Sequence, residues 1–115
     1  MCTLKISIQD LIIYVRRYVE ENATGLLGML NLYAKTMYGM DAITMFFNDF
    51  SKFLEILDEV YGSRDSSLLV LKLFFIRPVL IKLNRLDKLD EILSVIREKP
   101  TEFKKLLQDL GVYFE

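Results

Sequence analysis

The residues that could do chemistry are few and scattered. Lys82, Arg85 and Lys88 follow one another at three-residue spacing, with Arg77 and Arg64 before them. Such a run suits a basic ridge against phosphates, since neutralised phosphates supply most non-specific nucleic-acid affinity. Met29, Met37, Met40 and Met45 cluster along the chain. Thioethers can hold copper(I), but neither cysteine nor histidine stands nearby to complete a site, and methionine more commonly fills core gaps and adaptable interfaces. Glu55, Asp58 and Glu59 could gather a hard cation, although on a polar helix face they read as solvated surface. There is no histidine, and the one cysteine is Cys2. A zinc site of ordinary type cannot be built from this set. A nucleophile would have no imidazole base. Gly25 and Gly28 belong to no phosphate-binding loop pattern. The expectation is a chain with no catalytic, metal or cofactor-binding residues.

Composition narrows the classes further. At 115 residues one helical domain spanning residues 1–115 is expected, large enough to bury a core without staples. Apolar residues make up 52%, slightly above the soluble average, which suggests a well-filled core or a surface that a partner covers. The net charge of −1 implies no whole-chain pull on nucleic acid or acidic lipid. Charge is mildly uneven, at −3 over Met1–Ser63 and +2 over Arg64–Glu115. A lone cysteine and an N-terminus without a signal-peptide pattern suit the cytoplasm. The absence of His and Trp, with only Gln9 and Gln108, suits a thermophile or one of its viruses.

The stretch that must position everything else is Ser66–Leu86, SSLLVLKLFFIRPVLIKLNRL. At about 100° per residue its apolar side chains point in every direction. Leu68, Val79 and Leu83 share one direction, Leu73 and Leu80 another, and Val70, Phe74 and Ile81 a third. A helix apolar all round is buried by its own domain, a partner or lipid. Leucine outnumbers β-branched residues, which favours helix, with a strand over Leu68–Ile76 as the alternative. Pro78 removes a backbone donor and disfavours α geometry at Arg77, so a kink or break is expected there. The apolar run of about sixteen residues falls short of the roughly 20 that a membrane span needs. Lys72 and Arg77 lie inside it, each costing about 2.5–3.5 kcal/mol at a bilayer centre. A core helix with snorkelling cations fits better.

Around it the pattern predicts further helices. Leu4, Ile6 and Ile8 alternate with polar residues and read as an extended lead-in, with no evident partner strand. A first helix over 8–21 starts at Ser7 and carries Leu11, Ile12, Val15, Tyr18 and Val19 inward. A second, over 25–38, is capped by Thr24 and closed by Gly39, with Leu26, Leu27, Leu30, Tyr33, Ala34, Met37 and Tyr38 inward. The third signature is the clearest: Asp41 caps a helix over 42–61 that Gly62 closes. Ile43, Phe46, Phe47, Phe50, Phe53, Leu54, Leu57, Val60 and Tyr61 form its broad stripe, more a core face than a binding groove. Asp49 sits at the edge of that stripe without a local partner. Asp65 or Ser66 would cap the central helix, and helices over 88–98 and 102–110 complete a compact all-α bundle of five or six helices.

Ile92–Val112, ILSVIREKPTEFKKLLQDLGV, resembles the first two helices of a helix-turn-helix unit. It has the proline-containing loop and the Leu-Gly-hydrophobic turn. The resemblance implies a recognition helix after Val112, and the sequence given has three residues there. Two packed helices with ordinary caps are therefore expected. The function that best fits these observations is a non-enzymatic interaction protein or accessory subunit. It would self-associate or bind another protein chain through apolar helix faces, without a membrane span. The alternative is a nucleic-acid-binding accessory factor that uses Arg77, Lys82, Arg85 and Lys88.

Overall fold

Side-chain caps mark where three of the helices begin. In the computed structural model, which describes residues 5–114, Ser7 accepts a hydrogen bond from the Asp10 amide and opens α1, Ile8–Asn22. Asp41 takes the amide of Thr44 at 3.1 Å and the Thr44 hydroxyl at 2.6 Å, and opens α3, Ala42–Asn48. Between them lies α2, Leu26–Tyr38. Thr24 was expected to cap α2, but Gly25 does so with φ +86° and no side-chain bond. An L side chain rarely adopts that backbone, which is the use of the glycine there. From α2, Asn31 accepts the Ala42 amide at 2.7 Å and ties α2 to the start of α3.

The helix expected over 42–61 is two helices. α3 ends at Asn48, Asp49 takes φ −147° and ψ 72°, and α4 runs Phe50–Tyr61. The amide of Asp49 still bonds to Met45 and its carbonyl still accepts from Phe53, so the two halves stay coupled through the bend. Asn and Asp favour such positions because their side chains compete with the helical backbone.

Ser63, rather than Asp65 or Ser66, caps α5, Arg64–Leu71. α5 passes into a π-helical segment, Lys72–Ile76, and then into α6, Arg77–Lys82. Helix, not strand, therefore holds Leu68–Ile76. The interruption expected at Pro78 appears just ahead of it, as this wider turn. Arg77 keeps α geometry at φ −56° and ψ −50°, and its amide reaches back to Lys72. The wider turn makes room for the proline ring, which clashes with the carbonyl four residues back in an α-helix. Asn84, at φ +57°, ends the run, with the Arg85 amide on the Leu80 carbonyl.

A 3₁₀ turn at Leu86–Lys88 leads into α7, Leu89–Glu98, and another at Pro100–Glu102 into α8, Phe103–Asp109. With 64–82 taken as one rod, the described residues hold seven helices, the bend at Asp49 adding one to the expected six. The fold is all-α apart from one parallel pairing, in which β1, Ile6–Ser7, lies beside β2, Val112–Tyr113. The lead-in does have a partner, and the chain after Gly111 pairs as strand where a recognition helix would begin. Leu4 and Cys2 lie outside the described residues.

The core is centred on phenylalanines. Phe46 of α3 meets Phe47, Phe50, Phe53, Phe75 and Phe103 at centroid distances of 4.7–5.9 Å. It thereby joins α3, α4, the π-helical segment and α8. The overall shape is compact, with a radius of gyration of 13.3 Å.

At the α4–α5 junction, Arg64 Nε and Nη2 donate to Asp58 at 2.8–3.2 Å. The buried Ser67 hydroxyl lies 2.7 Å from the same carboxylate. Partial burial would raise the Asp58 pKa, but the bonds from Arg64 and Ser67 outweigh it and hold the carboxyl below its ordinary value. The stabilisation is therefore present above the unfolded carboxylate pKa of about 3.9 and lost as pH falls through the depressed folded value. Urea midpoints taken from pH 6 to pH 3, roughly spanning that window, should fall less steeply in Asp58→Asn than in the parent. Equal slopes would mean that the junction carries no acid sensitivity.

Candidate functional site

Two surfaces could serve a function, and different elements build them. The first is the outer face of α2. Gly28, Leu32 and Thr36 form one row at four-residue spacing, and Met29, Tyr33 and Met37 form the next. All six are exposed. Leu26, Leu27, Leu30 and Ala34 hold the helix to the core from the other side. Tyr33 and Met37 were expected inward and instead point out. Leu32, Tyr33, Thr36 and Met37 line a shallow groove of about 420 Å³ that Glu59 of α4 completes. Lys35 is the single charged residue of α2. At the end of the helix the Tyr38 hydroxyl donates to Glu55, and Lys52 lies 5.0 Å above the Tyr38 ring. The bond to Glu55 holds the phenolic proton and raises the Tyr38 pKa. Asp49, expected to have no local partner, pairs with Lys52 three residues on at 3.4 Å.

The second surface holds the cations. Arg77 and Lys82 are exposed on α6, and Lys82 Nζ lies 5.4 Å from the centroid of the Tyr14 ring. Arg85 pairs with Asp87 at 3.2 Å, and Lys88 with Glu91 at 3.2 Å. The Arg85 bond lowers the Asp87 pKa. Arg85 and Lys88 come together at the mouth of a groove of about 350 Å³ between α7 and α8. Its floor is Ile92, Val95, Leu106 and Leu110, and Glu91 and Asp109 share its rim with the two cations. The structure therefore brings Arg85 and Lys88 to one groove but leaves Arg77 and Lys82 on a separate helix. The three evenly spaced cations lie in different elements, Lys82 in an α-helix, Arg85 in a loop and Lys88 in a 3₁₀ turn.

Among the described residues no three His, Cys, Asp or Glu side chains stand close enough together to hold a metal ion. No described helix is long and apolar enough to cross a membrane. No family model, curated protein or solved structure matches the chain.

The outward set on α2 had one legible signal. Its thirteen residues, LLGMLNLYAKTMY, contain one charge, so apolar side chains had to occupy the outer face as well as the inner.

Proposed function

We propose that this chain is a non-enzymatic interaction protein, an accessory subunit that associates with itself through apolar helix faces in the cytoplasm. The observation that carries the reading is the outer face of α2, where Met29, Leu32, Tyr33 and Met37 stand exposed together. Contiguous exposed apolar surface marks contact sites more often than isolated apolar residues do. The core needs none of these side chains, since one continuous buried cluster already links the strand pair, the helices and the π-helical segment. The nucleic-acid reading draws less support, because Arg85 and Lys88 are each already paired with a carboxylate of this chain.

Light scattering after size exclusion, at several protein concentrations and two salt concentrations, tests the proposal. A dimer or larger species that salt does not dissociate is expected, since apolar contacts are not screened. A monomer at every concentration would end the self-association reading.

A further inference from the structure

The rod over 64–82 carries an exposed stripe of its own. Leu69, Leu73 and Ile81 are 57%, 37% and 40% exposed, and Arg77 stands exposed between the last two. Leu68, Leu71, Phe75 and Val79 hold the rod to the core from the other side. The π-helical segment Lys72–Ile76 is what gathers the stripe. A π turn takes up one more residue than an α turn, so Leu69 and Ile81 end within about 20° of one direction, where an unbroken α-helix would set them about 120° apart. Arg77 falls within about 20° of that direction and Leu73 within about 40°. Lys72, half-buried, and Lys82, exposed, flank the stripe on opposite sides.

We infer that this stripe docks on an anionic lipid surface. Leu69, Leu73 and Ile81 enter the interface, and Lys72, Arg77 and Lys82 meet the headgroup phosphates. The inference stands apart from the self-association reading, which uses α2. Charge decides the occupant. From Ser66 to Leu86 there is no Asp or Glu. Lys72, Arg77 and Lys82 belong to no ion pair among the described residues. The carboxylates at the start of the rod are taken, Asp58 by Arg64 and Asp65 by Arg97. Three uncompensated cations beside an apolar stripe complement a surface that is anionic at its phosphates and apolar beneath them. Long basic side chains lay their methylene stems on apolar surface and lift the charge to headgroup level.

The chemistry of the stripe separates lipid from other anionic partners. Its exposed apolar residues are all aliphatic. Protein contacts are anchored mainly by Trp, Tyr and Arg, with Leu under-represented. Single-stranded nucleic acid stacks on aromatic rings. Aliphatic side chains suit acyl chains. The rod lies along the interface, since no described helix is long and apolar enough to cross it.

The chain has no tryptophan, so Ile81→Trp and Leu32→Trp each report on one face alone. With phosphatidylcholine vesicles that contain phosphatidylserine, the emission of Ile81→Trp should shift to the blue and be quenched by brominated acyl chains. Phosphatidylcholine alone should produce neither effect, and Leu32→Trp on α2 should not respond. Added salt should weaken the binding. Arg77→Glu should weaken it roughly tenfold or more. The thermal midpoint of that variant should stay close to the parent's, because Arg77 is exposed and has no ion-pair partner among the described residues. If Leu32→Trp responds and Ile81→Trp does not, or Arg77→Glu binds vesicles as the parent does, the stripe is not the docking surface. If polyglutamate or poly(dT) shifts the Ile81→Trp emission and vesicles do not, the partner is an acidic protein or a nucleic acid, and the lipid reading falls. Failure to bind any of the three also ends it. None of these results bears on self-association, which light scattering reads.

Discussion

Phe46→Ala is expected to lower folding stability by about 3–5 kcal/mol, the range for truncating a fully buried phenylalanine. Phe46 has no exposure and touches five other rings from four segments of the chain. Edge-to-face and tilted ring pairs add to simple area burial, so the upper part of the range is the better expectation. The surrounding rings sit on four helical segments that pack on one another, which limits how far the cavity can close. Domains of this size are stable by roughly 5–15 kcal/mol, so the variant would lose a large fraction of its margin. Its thermal midpoint should fall by roughly 10–20 °C. Urea and thermal unfolding followed by circular dichroism would measure both. A loss below about 1.5 kcal/mol would mean that the five ring contacts do not form the centre of the core.

Leu80→Ala and Leu73→Ala should separate widely, although the two residues are seven apart and share a direction in a regular α-helix. Leu80 is fully buried, whereas Leu73 is 37% exposed. The expected costs are about 2–5 kcal/mol for Leu80→Ala and under about 1 kcal/mol for Leu73→Ala. The physical cause is the π-helical segment that contains Leu73 and precedes Leu80, which holds about one more residue per turn and rotates everything after it relative to α5. Val79, Leu80 and Leu83 turn inward as a result, and Ile81 and Lys82 turn out. Similar losses for the two variants would indicate a regular α-helix through 64–82. The pair therefore tests the π-helical segment itself, without a probe at Pro78.

Much of the fold was legible because its signals are local. Helix starts at Ser7 and Asp41, stops at Gly39 and Gly62, and the stripe from Ile43 to Leu57 follow from capping chemistry and periodicity. Leucine in the central stretch favoured helix, and helix is what forms. The bend at Asp49 was only partly legible. An Asn48-Asp49 pair inside a strong apolar stripe is a signal for a non-helical residue, but the stripe continues across it and masks the break.

The candidate surface divides along the same line. That α2 is poor in charge, and that the chain holds no histidine, are properties of the sequence alone. They determined an apolar helical protein whose outer surface includes apolar side chains. Which side chains those are was decided by tertiary structure. Tyr33 and Met37 lie on the stripe that periodicity assigns to the core, yet Leu30 and Ala34 take the inner positions because α1, α3 and α4 close around only one side of α2. The phase of α6, the pairing of Ile6 with Val112 and the separation of Arg77 and Lys82 from Arg85 and Lys88 were likewise settled there. Each depends on contacts between residues far apart in the chain or on one wider helical turn, and no window of local spacing contains either.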